Sequence, residues 1–224
     1  MERVPEPQLM DGEEQAFAYA NADFAEPHNR FVEMFKERFP AHCARSLKVL
    51  DIGCGAADVT IRFARALPRT TITGIDGAEA MLRLGRQAIV QAGLEGRVNV
   101  ERKFLPHDAL PPGPFDVVIS NAFLHHLWNP AVLWSAVKAS GKSGTVVFVV
   151  DLFRPPSIEA AQEIVDLTAS SEPAVLRRDF FNSLCAAFRT DEVRGQLAQA
   201  KLDVLQVAEV SDRHLAVWGV LKDG

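Results

Sequence analysis

The sequence predicts an α/β domain whose mostly parallel sheet is covered by helices on both faces. Three observations carry this prediction. Short apolar, β-branched runs recur along the chain, stretches with helical apolar spacing separate them, and a glycine pair closes the first run. The 224 residues leave room for one such domain with a large core and a modest accessory region. At 48% hydrophobic and 24% charged residues, the composition is that of an ordinary globular protein.

The first run, Leu47-Lys48-Val49-Leu50-Asp51-Ile52, stops at Gly53 and reads as a buried parallel strand. Val59, Phe63 and Leu67 then recur at helical spacing until Pro68 ends the helix. Thr71–Asp76 is a β-branched second strand. Met81, Leu84, Ala88 and Ile89 mark the next helix, with Gly93 as its stop. Val98–Glu101 is a weaker third strand. The fourth, Phe115–Ser120, follows the proline-rich turn Pro111–Pro114. A helix starts near Asn129-Pro130, with asparagine as N-cap and proline in the first helical position. Thr145–Leu152 is the fifth strand. A helix from about Asp191, capped by Thr190, and strands around Val204–Val210 and His214–Leu221 complete the rhythm.

Two regions interrupt this alternation. Residues 1–45 read as mainly helical, with an apolar stripe through Phe31, Met34 and Phe35 and a stop at Pro40. Residues 155–189, after the fifth strand, read as a largely helical insertion. The domain proper therefore spans 46–224, and no repeat or low-complexity segment divides it.

Charge and cysteine usage exclude several function classes. A net charge of −5 disfavours nucleic acid, because phosphate-dominated binding needs clustered Lys and Arg. The acidic, proline-bearing start (Met1–Pro7) lacks the apolar run of a signal peptide, and Val146–Val150 is too short to span a bilayer. Cys43, Cys54 and Cys185 are scattered, without the paired spacing of a zinc or disulfide framework. The expectation is a cytoplasmic, reduced protein without a metal.

The segment Asp51-Ile52-Gly53-Cys54-Gly55-Ala56-Ala57-Asp58 narrows the ligand. Two glycines after a strand bring the backbone close to a ligand at the following helix N-terminus. A dinucleotide fingerprint needs Gly or Ala three residues past the second glycine, where Asp58 stands. Asp51 would repel a pyrophosphate but suits an ammonium group. Asp76 ends the next strand, 25 residues on, where a carboxylate can accept both ribose hydroxyls. No Gly-Lys-Ser/Thr follows, so a P-loop is excluded. An adenosyl ligand with a cationic amino acid tail and no phosphate meets these constraints, which describes S-adenosylmethionine.

The segments Val49–Ala57, Gly74-Ile75-Asp76, Phe115–Asn121 and Phe123-Leu124-His125-His126-Leu127 resemble the ordered motifs of class I S-adenosylmethionine-dependent methyltransferases. The branch most resembled includes the ubiquinone and menaquinone biosynthesis enzymes, and the similarity covers roughly residues 45–152. It implies a Rossmann-like, seven-stranded sheet with an antiparallel last strand and a helical N-terminal lid over residues 1–45. It also implies that Gly53 and Gly55 cradle the methionine moiety while Asp51 holds its amino end. Asp76 then binds the ribose and Asp108 the adenine amino group. Asn121 and Ala122 line the methyl-donor side, and Cys54, Gly77, Met81, His107 and Ala109 complete the cofactor contacts. Ala57 departs from the pattern, since many members carry glycine there.

On the acceptor side, His125 and His126 follow the fourth strand and are the candidate general bases, since an imidazole titrates near neutral pH. Tyr19, Phe24 and His28 belong to the expected lid. Arg154 and Arg178 are the candidate substrate clamps, because guanidinium groups grip carboxylates or phosphates. The function expected is methyl transfer to a small molecule, leaving S-adenosylhomocysteine. Exocyclic base amines call for an Asn/Asp-Pro-Pro-aromatic motif, and Ser120-Asn121-Ala122-Phe123 stands instead. A macromolecular acceptor, or a partner or sensor protein that binds the cofactor without turnover, are the alternatives.

Overall fold

The computed structural model describes residues 1–7, 9 and 11–222. Seven strands form one sheet among them: β1 (Leu47–Ile52), β2 (Thr70–Asp76), β3 (Val98–Arg102), β4 (Val117–Asn121), β5 (Val146–Leu152), β6 (Gln206–Glu209) and β7 (His214–Val220). Their spatial order is β3-β2-β1-β4-β5-β7-β6. β1 pairs in parallel with β2 and β4, β2 with β3, and β4 with β5. β7 alone runs against its neighbours, β5 and β6. The expected Rossmann-like sheet with an antiparallel last strand is therefore present. After β3 the chain returns to the far side of β1 to lay down β4. That reversal opens a crevice at the carboxyl ends of β1 and β4.

The eight α-helices among the described residues are α1 (Glu13–Asn21), α2 (Ala25–Arg38), α3 (Asp58–Ala66), α4 (Glu79–Gln91), α5 (Ala131–Ser140), α6 (Ile158–Thr168), α7 (Ala174–Ala186) and α8 (Thr190–Gln199). Successive strand residues face opposite sides, so each buried strand feeds two cores. Val49, Ile119 and Phe148 pack under α2, α3 and α4 through Phe35, Phe63 and Leu82. Leu50, Val118 and Val149 pack on the other side under α5 and α8 through Trp134, Val137 and Leu197. This two-sided burial explains why the central strands read as continuous apolar runs.

The N-terminal region divides into three parts. Most of α2 covers the sheet: Phe31 and Phe35 meet Phe148 with ring centroids 4.9 and 5.8 Å apart, and Phe35 meets Phe63 at 4.7 Å. α1 lies over α4 and reaches α7, where Gln15 Nε2 donates to Asp179 Oδ2 at 2.8 Å. Residues 1–7 are not helical but form an extended strap. The Met1 amino group donates to the Pro156 carbonyl and the Val4 N–H to the Cys185 carbonyl. Arg3 donates to the carbonyls of His125 and Leu127 and lies 3.9 Å above the Phe188 ring.

The insertion after β5 holds α6 and α7 with a small core of their own, including Val165 and Leu184. Two helix starts shift by a residue from the sequence reading. α5 is counted from Ala131, whose N–H is accepted by Asn129 Oδ1 at 3.1 Å. α8 begins at Thr190 itself, whose hydroxyl donates to Glu209 while Glu192 accepts the Arg189 N–H. A carboxylate reaching back to the cap N–H thus does the work expected of threonine.

Phe148 joins β5 to α2, so Phe148→Ala should lower unfolding free energy by about 3–5 kcal/mol. Urea denaturation measures it. A loss below about 1 kcal/mol would show that α2 does not depend on this contact.

Candidate active site

A cavity of about 410 Å³ opens at the β1/β4 reversal. β1 delivers Asp51 to it, β2 delivers Asp76, and the end of β4 with the turn that follows delivers Asn121, Ala122 and Phe123. Leu9, Phe17, Tyr19, Phe24 and His28, from the N-terminal region, also line it. Its size is within the range typical of small-molecule sites, roughly 300–1,000 Å³.

The glycine loop is shaped from two directions. The Gly53 and Cys54 N–H groups both donate to the Ile75 carbonyl, at 2.8 and 3.0 Å, which locks the loop to the end of β2. Gly53 has φ +76°, and a Cβ there would lie 2.4 Å from the Phe123 ring. Glycine is therefore demanded at position 53 by an aromatic ring from the turn after β4, whatever the cavity holds. Ala57 is fully buried with φ +66° immediately before α3. A left-handed conformation costs a non-glycine residue roughly 1–2 kcal/mol, so this loop carries strain that glycine would avoid.

Both acids are poised for a ligand. Asp51 is buried, and the Thr60 hydroxyl donates to its Oδ2 at 2.6 Å. Burial pushes the Asp51 carboxyl up to about 7; the Thr60 bond opposes that rise and the charge of Asp76 adds to it. Burial also raises Asp76, against the N–H groups of Ala78 and Gly55 that donate to it at 2.8 and 2.9 Å. Two neighbouring buried acids call for a cation at one end and hydroxyl donors at the other. A phosphate is disfavoured, because Asp58 occupies the N-terminus of α3 and pairs there with His28 Nδ1 at 2.6 Å and Arg62 Nε at 2.8 Å. The chemistry of these residues fits S-adenosylmethionine.

The remaining expected residues separate into two groups. Cys54, Gly55, Gly77, Met81, Asn121 and Ala122 line the cavity, as do Tyr19, Phe24, His28 and His126. His107, Asp108 and Ala109 do not. Asp108 Oδ2 accepts the Phe104 N–H at 2.7 Å and His107 stacks on Phe104, so this turn closes on itself. Phe104 and Leu105 line the cavity in their place, two apolar residues that nothing in the sequence marks beyond their position after β3. Arg154 is buried outside the cavity, bonded to Glu192 at 2.7 Å and to the Ala187 carbonyl at 2.8 Å. Arg178 pairs with Asp179 on the exposed side of α7. Neither arginine faces the cavity.

The two histidines after β4 also differ. His125 is 3% exposed, and its Nδ1 lies 2.6 Å from Asp151 Oδ1. Burial opposes protonation of His125, but the charge and hydrogen bond of Asp151 outweigh it and hold its pKa above the ordinary value. His126 reaches the cavity wall, and burial together with the adjacent His125 lowers its pKa. Tyr19 stacks against Phe24, and Phe24 against His28, with centroids 4.8 and 5.3 Å apart. Burial, reinforced by Asp58, Asp151 and Asp76, pushes the Tyr19 hydroxyl up to about 12, so it stays protonated at neutral pH.

Asp51 gives the site a pH dependence. An ammonium ligand is attracted by the carboxylate, which forms as pH rises through about 7. Affinity for S-adenosylhomocysteine should therefore improve about tenfold between roughly pH 6 and pH 8, as ionisation of one group requires. Calorimetric titration of the chain and of Asp51→Asn measures it. The variant should bind more weakly with a flat profile, and an equally flat parent would remove Asp51 from the ammonium end.

Residues 49–144 match a family model described as a methyltransferase domain. The ubiquinone biosynthesis O-methyltransferase of Bordetella parapertussis is 36% identical over 112 residues, covering 49% of this chain and 44% of the relative. The release factor glutamine methyltransferase of Gloeobacter violaceus is 38% identical over 85 residues, covering 37% of this chain and 28% of the relative. The chain thus aligns with less than half the length of these relatives. Among solved structures, a SAM-dependent methyltransferase from Aquifex aeolicus superposes with a TM-score of 0.66 at 16% identity, covering 92% of this chain and 97% of that one. The plantazolicin methyltransferase, bound to SAH and a substrate analogue, superposes with a TM-score of 0.69 at 14% identity, covering 94% and 91%. The structural likeness establishes the fold, and over residues 49–144 the chain is similar in sequence to a methyltransferase domain.

Proposed function

We propose that the chain transfers a methyl group from S-adenosylmethionine to a small, largely apolar acceptor held beneath α1 and the start of α2. The observation that carries this reading is the apolar part of the cavity lining. Tyr19, Phe24, Phe123 and Leu9 contribute to it, three of them from the N-terminal region, and such a lining suits a small acceptor. In this reading α1 and its neighbouring turn serve as the lid, and the remainder of α2 belongs to the core. The net charge of −5 and the sequence Ser120-Asn121-Ala122-Phe123 support a small molecule over a nucleic acid. So does the name of the Bordetella relative, a ubiquinone biosynthesis enzyme, although the Gloeobacter relative is named for a protein acceptor.

When bound, the cofactor supplies a methyl group already activated by its sulfonium, so positioning is the main demand on the protein. Asp51 with Thr60, and Asp76 with the backbone of Gly55 and Ala78, hold the two ends of the cofactor. Met81, Phe104 and Leu105 flank it, while Asn121 and Ala122 line the side toward the acceptor. Tyr19 and Phe24 exclude water, and the protonated Tyr19 hydroxyl is a hydrogen-bond donor. An acceptor hydroxyl must also lose a proton. We assign its uptake to His28, whose Nδ1 is held by Asp58 at 2.6 Å, leaving Nε2 as the ring's free nitrogen. A carboxylate that fixes an imidazole in this way sets its tautomer for base action. His125, sealed behind the turn, stands too deep for contact with the acceptor, and His126 shapes the wall.

Two outcomes test this reading. Incubated with S-adenosylmethionine and fractionated metabolites, the chain should methylate small compounds; methylation confined to protein or RNA fractions would contradict it. With a hydroxyl acceptor, His28→Gln should lower kcat by about 10²-fold or more. His126→Gln should act mainly on KM. Unchanged kcat in His28→Gln would overturn the assignment.

A further inference from the structure

Beneath the N-terminal strap, apart from the residues that hold the cofactor, three potential ligand atoms converge. Glu6 Oε1, His125 Nε2 and His126 Nδ1 all lie within 4.8 Å of one another. Glu6 Oε1 is 3.5 Å from His125 Nε2 and 3.1 Å from His126 Nδ1, and all three side chains are nearly sealed from solvent. The contacts are short but they are not hydrogen bonds. His126 Nδ1 is a buried nitrogen without a hydrogen-bond partner, and the donor that Glu6 Oε1 does accept is the Ser183 hydroxyl, at 3.0 Å.

Atoms packed this closely are close enough to serve as ligands around a common centre. A tetrahedral ion with bonds of about 2.0–2.1 Å separates neighbouring ligand atoms by about 3.3 Å, and the two measured separations bracket that value. The surroundings agree. Metal-binding imidazoles usually give their second N–H to a carboxylate. His125 Nδ1 has Asp151 Oδ1 at 2.6 Å, and Asp151 is itself fixed by the Phe123 and Leu124 N–H groups at 2.8 and 2.7 Å. Two imidazoles with one carboxylate favour a borderline transition-metal ion over Mg²⁺ or Ca²⁺.

We propose that Glu6, His125 and His126 form a binding site for a divalent ion of the Zn²⁺ class. Of the three, His126 also lines the cavity wall. The ion joins the strap to the turn after β4, adding a bond at Glu6 to the contacts that Arg3 and Val4 already make. The sequence offered no sign of it, because Glu6 and the histidine pair come from distant parts of the chain and no cysteine takes part. The proposal is independent of the acceptor's identity and of the assignment of His28.

The test uses the full, untagged chain after chelator treatment. Calorimetry with Zn²⁺ should show one equivalent bound at micromolar Kd or tighter, with Mg²⁺ giving no comparable heat. Co²⁺ should give the visible absorption of a low-coordinate site. Glu6→Gln and His126→Gln should each weaken Zn²⁺ binding at least about tenfold, and His107→Gln, on the exposed turn after β3, should not. Zn²⁺ should slow amide exchange of residues 1–7 in the parent but not in Glu6→Gln. Binding of S-adenosylhomocysteine by metal-free Glu6→Gln confirms that this variant is folded. Stoichiometric uptake unaffected by Glu6→Gln, or no uptake by the parent, would overturn the proposal.

Discussion

Two carboxylates, Asp51 and Asp76, are brought to the carboxyl ends of adjacent strands and largely withdrawn from water. Burial raises the pKa of each, and the charge of one acts on the other. Such a pair is unfavourable for the folded chain alone and becomes favourable when a ligand supplies positive charge and hydroxyl donors. The loop between them is organised around the same need. Gly55 and Ala78 aim N–H groups at Asp76, Thr60 aims its hydroxyl at Asp51, and the loop is locked to β2 through the Ile75 carbonyl.

The sheet supplies the rigidity that this arrangement requires. β1 and β2 pair in parallel, with Asp51 opposite Gly74, so Asp76 projects two residues further along. β4 enters on the other side of β1 and carries the turn whose Phe123 ring presses on Gly53. A second buried acid, Asp151 at the end of β5, holds that turn through the N–H groups of Phe123 and Leu124 and through His125. The cavity is thus shaped by three acids at the ends of three strands, two facing the ligand and one supporting the wall.

Much of the fold was legible because it follows local rules. Apolar runs such as Val49–Ile52 and Val146–Val150 marked central strands, and Pro68 and Gly93 marked helix ends. The placement of Asp51 and Asp76 at the cavity, and of Asp58 at the start of α3, was legible because their spacing from the glycines is fixed by the strand–loop–helix geometry. What could not be read depends on distant contacts. Gly53 answers to Phe123 as well as to a ligand, and nothing local announces that. The strap carries no periodic pattern; its conformation is set by partners such as Pro156 and Cys185 far along the chain. Arg154 resembled a substrate clamp in sequence but is consumed by Glu192 and the Ala187 carbonyl. Asp108 closes its own turn, leaving the wall to Phe104 and Leu105.

The central claim is that the acids at the strand ends select a cationic adenosyl ligand over a dinucleotide. Parallel calorimetric titrations of the purified chain with S-adenosylhomocysteine and with NAD⁺ test it most directly. The account predicts saturable heat at micromolar concentration from the first and none from the second. Saturable heat from NAD⁺ with none from S-adenosylhomocysteine would contradict it.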